Sequence, residues 1–186
     1  MVKVMGIVGS PRKNGNTEIL VNETLKGASE AGAETEVLRL EDMNINPCRA
    51  CMDCKTNGGK CAIDDDMQTI YNKLKDNDAL VLGSPIYMFY LSAQTKLFID
   101  RLYAVFYTDF WEGYDKLNVS LVFTQGNPDE KAFKDIFDNT EKLFDVLGFN
   151  VKDSLVSVGN MELGDVKNKP DIIEKARSLG KQLAEN

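Results

Sequence analysis

Residues 2–17 read VKVMGIVGSPRKNGNT, and this stretch decides the fold class of the chain. Val2–Val8 is a mostly apolar run rich in β-branched residues, which is typical of a strand buried on both faces. Residues 9–17 form a polar loop rich in Gly, Ser and Asn, and a helical pattern of apolar residues follows over Thr17–Ala31. The stretch therefore predicts a buried strand, a polar loop and a helix.

The same alternation of strand and helix patterns continues along the chain. Further strands are predicted at Glu34–Leu40, Ala79–Gly83, Val119–Thr124 and Phe149–Val158, and further helices at Asp65–Lys75, Ser92–Phe106, Glu130–Leu147 and Pro170–Leu183. Alternating strands and helices predict a parallel sheet covered on both faces, and right-handed crossovers make it a three-layer α/β sandwich. We expect five strands in the order 2-1-3-4-5. No repeat or linker interrupts the pattern, so residues 1–186 are expected to form a single domain.

The loop after the first strand has the composition of a phosphate site. In a doubly wound sheet, the first helix directs its N-terminal N–H groups at an anion at this place. Ser10, Asn16 and Thr17 supply short hydrogen-bonding side chains, and Arg12 supplies positive charge. The loop matches neither the P-loop nor the dinucleotide pattern of glycines, but it suits a phosphate monoester such as that of FMN. The alternative is an ordinary polar turn between strand and helix.

Two more loops are expected at the same edge of the sheet. The third strand runs into Ser84, Pro85, Ile86 and Tyr87, where a planar and partly apolar ring could pack. The fourth strand ends at Thr124–Asn127, where Gly126 would allow the backbone to approach such a ring closely. The alternatives are ordinary core or interface residues and a plain Gly-Asn turn. Three loops that converge on one edge predict a single binding site at the switch point of the sheet.

The four cysteines of the chain form a second motif, C-x2-C-x2-C-x6-C. They are Cys48, Cys51, Cys54 and Cys61, and all lie in the long irregular stretch between the second strand and the next helix. Four thiolates in a short segment are the ligand set of an iron–sulfur cluster, and Gly58 and Gly59 would allow the turn that brings in the last cysteine. Structural zinc, a redox pair such as Cys51 and Cys54, and four reduced thiols remain alternatives.

The composition excludes several classes of function. The net charge is −7, which argues against binding to nucleic acid or to anionic membranes. The chain contains no histidine, so Ser–His and Cys–His nucleophile pairs and mixed Cys/His metal sites are excluded. No protein side chain is expected to act as a nucleophile, because a cofactor can supply the chemistry. The chain shows no signal-peptide pattern and no membrane-length apolar run, so a cytoplasmic location is expected.

These motifs together resemble the flavodoxin-like NADPH-dependent FMN reductases, and most of all the iron–sulfur flavoproteins of anaerobic archaea and bacteria. The resemblance rests on the phosphate loop, the cysteine segment, the third-strand loop and the fourth-strand loop: Gly9–Thr17, Cys48–Met67, Ser84–Tyr87 with Ser92–Lys96, and Thr124–Asn127. It spans the chain to about residue 127; the remainder matches in pattern only. The fold it implies is one flavodoxin-like domain with a cluster loop at residues 44–64.

The resemblance also implies cofactors, partners and residue roles. FMN would be bound with Ser10, Arg12, Asn16 and Thr17 around its phosphate, with Ser84, Pro85, Ile86 and Tyr87 along the isoalloxazine ring, and with Thr124 and Gly126 on the other side. The four cysteines would hold a four-iron, four-sulfur (4Fe-4S) cluster. A homodimer or homotetramer is implied, in which FMN sites lie near subunit contacts.

The resulting hypothesis is a flavin-dependent oxidoreductase. Electrons would pass between a soluble donor such as ferredoxin, the cluster and FMN, and reach a small acceptor. One alternative is an NAD(P)H-dependent FMN or quinone reductase without a cluster. A second is a non-enzymatic electron carrier like flavodoxin, and a third is a zinc-stabilised flavin- or nucleotide-binding module.

Overall fold

The computed structural model describes residues 1–185 and arranges six strands of that range in one sheet. The strands are β1 (Lys3–Val8), β2 (Glu34–Arg39), β3 (Ala79–Tyr87), β4 (Tyr90–Leu91), β5 (Asn118–Thr124) and β6 (Asn150–Ser157). The helices are α1 (Asn16–Glu30), α2 (Asp53–Thr56), α3 (Met67–Asp76), α4 (Ala93–Arg101), α5 (Lys134–Val146) and α6 (Pro170–Ala184). Among these residues, no helix combines the length and the apolar character needed to cross a membrane.

The sheet confirms the predicted fold class. Its parallel strands have the order β2-β1-β3-β5-β6, which is the predicted 2-1-3-4-5 order with β4 left out of the count. The short strand β4 was not predicted; it pairs antiparallel with the end of β3, through Ile86 with Leu91 and Tyr87 with Tyr90. The result is a flavodoxin-like α/β sandwich with one added hairpin.

The core lies in two layers, one on each face of the sheet. Because successive strand residues point to opposite faces, Val4 packs with α1 and α6, whereas Met5 packs with α3, α4 and α5. Both side chains are fully buried. The side with three helices holds the larger core, and Cys54 belongs to that core, so the cysteine segment is anchored on this face.

Two helix ends carry the residues that commonly mark such ends, and two helix ends differ from the predicted bounds. Ser92 caps α4 by accepting a hydrogen bond from the Thr95 N–H, and Gly148 follows α5 with a φ of +92°. However, α4 ends at Arg101 rather than at Phe106, and α5 begins at Lys134 rather than at residue 130. The chain after α4 continues as a 3-10 turn, Leu102–Ala104. The Lys55 side chain donates to the carbonyl oxygen of Tyr103 in this turn at 2.7 Å, and also to that of Phe106 beyond it.

Candidate functional site

The three loops predicted to bind FMN leave the sheet at one edge. Val8 is in register with Gly83, and Pro85 is in register with Thr124, so the strands end close together. The hydroxyl groups of Thr17 and Thr124 hydrogen-bond to each other at 2.7 Å, and both residues are buried. The structure therefore brings the start of α1 against the end of β5, as expected for a site at the switch point of the sheet.

The phosphate loop presents an open helix end. Helix α1 follows Gly15, and no side chain within residues 1–185 caps its first turn. Its first N–H groups point out of the helix and can bind an anion. Ser10 is buried and accepts a hydrogen bond from the Arg12 N–H at 3.3 Å, while the Arg12 side chain is exposed. The loop thus combines backbone donors, hydroxyl groups and two cations, Arg12 and Lys13.

The segment between β6 and α6, residues 158–169, lies against this loop, a contact that no sequence pattern predicted. The Asn16 amide nitrogen donates to the carbonyl oxygen of Glu162 at 2.8 Å, and the Asn16 amide oxygen accepts from the Val166 N–H at 3.1 Å. The Arg12 guanidinium donates to the carbonyl oxygen of Met161 at 3.3 Å. In the structure, the Asn16 side chain therefore fastens this segment beside the phosphate loop.

Gly126 meets the same segment from the other side. A Cβ atom at this position would lie 2.4 Å from Met161 Sδ, so the thioether of Met161 occupies the space next to the glycine. Residues 158–169 thus contact two of the three predicted flavin loops. A ring approaching Gly126 requires the flexible Met161 side chain to move aside.

Residues 84–87, predicted as a loop after a third strand ending at Gly83, instead form the last part of β3, and they pass from buried to exposed. Ser84 is buried; its hydroxyl group donates to the carbonyl oxygen of Pro85 at 3.0 Å and accepts from the Ser92 N–H at 3.3 Å. Pro85 is buried, Ile86 is half-buried and Tyr87 is exposed. The side chains that a ring could contact are therefore Ile86 and Tyr87, and the Ser84 hydroxyl has a structural role.

The four cysteines line one small cavity. Cys48 and Cys51 are exposed, Cys61 is half-buried and Cys54 is buried. Burial raises the pKa of the Cys54 thiol, and the neighbouring sulfurs of Cys61 and Cys51 add to the rise, whereas Lys55 opposes it. Within the described residues, no three Cys, Asp or Glu side chains are close enough together to hold a metal ion. The segment therefore gathers four sulfur donors without closing them into a tight group.

Left-handed residues give the cysteine segment its curvature. Ala50 has a φ of +51° and Met52 a φ of +65°, and Gly58 and Gly59 are also left-handed. Each non-glycine residue in this region costs about 1–2 kcal/mol. The alternation places a left-handed residue between each of the first three cysteines, and the two glycines turn the chain back toward Cys61. The predicted role of the glycines in this turn is confirmed by their positive φ angles.

Arg101, at the end of α4, is a second residue near the candidate site that the sequence did not reveal. Its guanidinium forms a bidentate ion pair with Asp65, with Nη1–Oδ2 at 2.6 Å and Nη2–Oδ1 at 3.1 Å. Both side chains are fully buried. Arg101 Nη2 also donates to Cys61 Sγ at 3.4 Å. Burial by itself would raise the pKa of Asp65, but hydrogen bonds from Arg101 and from the N–H groups of Asn46 and Met67 lower it.

Asp65 also bonds to the start of the following helix. Its Oδ1 accepts from the Met67 N–H at 3.1 Å, at the start of α3. The buried pairing with Arg101 was missed because the partner lies 36 residues away on a helix where an arginine resembles an ordinary surface residue. A buried carboxylate next to the last cysteine therefore links the cysteine segment to the core.

A larger cavity of about 660 Å³ connects the cysteine segment with the β3–β4 hairpin and α5. Its wall includes Cys48 and Met52 from the segment, Tyr90 and Leu91 from β4, and Leu143 from α5. Cavities of this size and largely apolar lining commonly hold small ligands.

Comparison with known proteins identifies the family. The family model described as NADPH-dependent FMN reductase matches residues 2–121. The chain belongs to this family. An iron–sulfur flavoprotein of Methanocaldococcus jannaschii is 36% identical over 193 aligned residues, which cover 99% of this chain and 96% of that protein. The chain therefore belongs to the iron–sulfur flavoprotein branch of this family, and it is a flavin-dependent oxidoreductase.

Further comparisons cover a shorter part of the chain or a more distant protein. An iron–sulfur flavoprotein of Methanosarcina thermophila is 39% identical over 100 residues, which cover 54% of this chain and 52% of that protein. Among solved structures, the NAD(P)H:quinone oxidoreductase from Methanothermobacter marburgensis has a TM-score of 0.71 at 19% identity, covering 98% of this chain and 96% of that one. The last comparison shows a shared fold.

Proposed function

We propose that this flavin-dependent oxidoreductase passes electrons between a soluble donor such as ferredoxin, a 4Fe-4S cluster and FMN, and delivers them to a small acceptor. The observation that carries the proposal is that all four cysteines line one cavity in a chain whose three sheet-edge loops suit FMN. When bound, FMN would exchange one or two electrons and the cluster would exchange one at a time. The protein would bind the two cofactors and hold them in position.

The residues at the sheet edge suit FMN by their chemistry. The open N-terminus of α1, with Ser10, Arg12 and Thr17, would bind the phosphate. Asn16 would keep the segment at residues 158–169 beside it, through the bonds of its side chain to Glu162 and Val166.

The ring of FMN would occupy the space above the strand ends. Ile86 and Tyr87 would pack along the ring, Ser84 and Pro85 would fix the loop that carries them, and Thr124 and Gly126 would approach from the other side. Ser84 lies within β3 and Thr124 is the last residue of β5, and both are buried, which gives this part of the site a rigid base.

The cysteine segment suits a four-thiolate cluster by its donor set. Cys48, Cys51, Cys54 and Cys61 would be the ligands, and Cys54 is already fixed in the core. Left-handed residues lie between the first three cysteines. Such backbone can group successive N–H donors into a concave site, where they can hydrogen-bond to sulfur. Lys55 adds positive charge beside Cys54, which favours the thiolate.

The first test measures iron, sulfide, zinc and FMN in anaerobically purified protein, together with its ultraviolet–visible spectrum. About four irons and four sulfides per FMN are expected. The Cys51→Ala variant removes an exposed ligand without opening a hole in the core, and it should lose the iron while it retains FMN. Met52→Ala, in the same segment, is the matched control. A flavin spectrum without iron, after reconstitution has also failed, would overturn the cluster.

A second candidate function is an NAD(P)H-dependent FMN or quinone reductase without a cluster. The family description names NADPH, and no three Cys, Asp or Glu side chains among residues 1–185 are close enough to hold a metal ion. Rapid mixing of the FMN-loaded protein with NADPH, NADH or reduced ferredoxin distinguishes the donors. If NADPH reduces FMN fully in the Cys51→Ala variant at the wild-type rate, this second function is supported.

We also propose a homodimer or homotetramer. Supporting this, the β3–β4 hairpin exposes four adjacent large side chains, Tyr87, Met88, Phe89 and Tyr90. Exposed apolar groups of this size in one place mark interaction surfaces. Light scattering coupled to size-exclusion chromatography measures the mass, and a monomer at micromolar concentration would overturn the oligomer.

A further inference from the structure

The buried ion pair beside Cys61 has more partners than a salt bridge needs. Besides its two bonds to Asp65, the Arg101 guanidinium donates from Nη1 to the carbonyl oxygen of Asn46 at 2.8 Å and from Nη2 to Cys61 Sγ at 3.4 Å. Asn46 lies two residues before Cys48, the first cysteine, and Cys61 is the last. One buried side chain therefore bonds both to the backbone just before the first cysteine and to the last cysteine.

Stability alone does not explain this arrangement. Removing an arginine and a carboxylate from water costs several kcal/mol per ion, and apolar residues of similar volume are often as stabilising as a buried pair. The cost is increased because Arg101 Nε is buried and has no hydrogen-bond partner among the described residues. The Arg101 side chain is thus buried at a cost in folding free energy, and one of its N–H groups is directed at a sulfur.

We infer that Arg101 is a positioning residue for the proposed cluster, and that its hydrogen bond to Cys61 Sγ raises the reduction potential of that cluster. The inference rests on the proposed function. Reduction adds negative charge, part of which is carried by the ligand sulfurs, and a charged N–H donor stabilises that charge. Asp65 neutralises the guanidinium from its other side, so Asp65 partly opposes the effect.

The two partners therefore give opposite predictions. The double variant Arg101→Met/Asp65→Asn removes both charges and the bond to sulfur, so the potential should fall. The asparagine side chain introduced at position 65 carries no charge, and its single amide oxygen can replace only one of the two acceptors of Asp65, either Oδ2, which accepts from the Asn46 N–H, or Oδ1, which accepts from the Met67 N–H. Asp65→Asn alone leaves the guanidinium without its neutralising carboxylate, so the potential should rise. A merely structural role would not produce shifts of opposite sign.

The experiment is a redox titration of reconstituted protein, followed by electron paramagnetic resonance of the reduced cluster, with iron and FMN assayed on each sample. At a fixed potential we expect the ratio of reduced to oxidised cluster to change about tenfold in each variant, equivalent to about 59 mV for one electron. Arg177→Met is the matched control, because Arg177 pairs with Glu23 at 2.6 Å between α1 and α6. Its cluster potential should equal that of the wild type.

The outcomes separate this inference from the proposed function. A wild type without iron after reconstitution overturns both. An iron-loaded wild type whose two variants keep its iron content and potential overturns the role of Arg101 alone. Loss of iron from the double variant, with FMN and fold retained, supports positioning of the cysteines. If the double variant does not fold, the sign of the shift in Asp65→Asn decides, and a fall or no shift overturns the inference.

Discussion

Replacing Thr17 by valine tests the phosphate site most directly. The Thr17 hydroxyl lies 2.7 Å from that of Thr124, and both residues are at most 4% exposed. Valine has nearly the same shape, so the change removes a hydroxyl group and little volume. If Thr17 also donates to the FMN phosphate, the lost bond to a charged group is worth about 1.5–3 kcal/mol. The FMN dissociation constant should then rise about 10- to 100-fold.

A purely structural role for Thr17 predicts a different pattern. Thr17→Val would leave the buried Thr124 hydroxyl without its partner, which costs about 1–3 kcal/mol of folding stability in the cofactor-free protein. The double variant Thr17→Val/Thr124→Val would recover much of that stability, because replacing both partners of a buried hydrogen bond is often nearly neutral. FMN affinity measured on folded protein would change little in either variant.

Two measurements separate these roles. Quenching of flavin fluorescence, titrated with cofactor-free protein, gives the dissociation constant, and urea unfolding gives the stability. Thr24→Val is the matched control, since the Thr24 hydroxyl donates to the carbonyl oxygen of Leu20 within the same helix and is fully buried. It should bind FMN like the wild type. A dissociation constant for Thr17→Val within about threefold of that control would refute the phosphate role of Thr17.

Three further predictions concern stability, and urea unfolding measures each. In Gly180→Ala, the new Cβ would lie 1.8 Å from the carbonyl oxygen of Thr24, so overpacking of about 1–3 kcal/mol should outweigh a helix-propensity gain of about 1 kcal/mol. Ser178→Ala, exposed on the same helix, should lose nothing, and equal effects of the two changes would contradict the close contact. The pKa of Asp65 is lowered in the fold, so its carboxylate stabilises above about pH 4, and this contribution is lost as the pH falls through the folded pKa. The stability difference between wild type and Asp65→Asn should therefore shrink on acidification from about pH 6 to about pH 3, and a constant difference would argue against the ion pair. Met88 is exposed with a φ of +45°, so Met88→Asn should stabilise the monomer by about 0.5–1 kcal/mol, and a loss of monomer stability would contradict the argument from backbone strain.

Much of the fold followed from periodicity. The strand and helix patterns predicted the five parallel strands and their order, because burial on one or both faces leaves a regular trace in the sequence. Element ends were less well predicted. The helix expected over Ser92–Phe106 ends at Arg101, where Lys55 from a distant segment donates to the carbonyl groups beyond it. No local pattern records such a donor.

The β3–β4 hairpin shows the same limit. Tight two-residue turns of this kind are usually signalled by Asn-Gly or Asp-Gly. Here Met88 and Phe89 occupy the left-handed positions, with φ angles of +45° and +64°. The Phe89 ring packs edge-to-face on Phe133, with 5.8 Å between ring centroids. That tertiary contact offsets part of the backbone strain, so the usual residue signal for the turn is missing.

The components of the site can be identified from the amino-acid sequence without the fold. A phosphate-type loop after the first strand, loops for a planar ring after the next strands, and four closely spaced cysteines are all short segments with a local chemical pattern. The way in which these components are held became visible in the folded chain. The bonds from Asn16 to residues 162 and 166, and the bonds from Arg101 to Asp65 and Cys61, join residues that are far apart in the chain. Such pairings depend on how the elements pack against one another, which hydropathy and spacing do not encode.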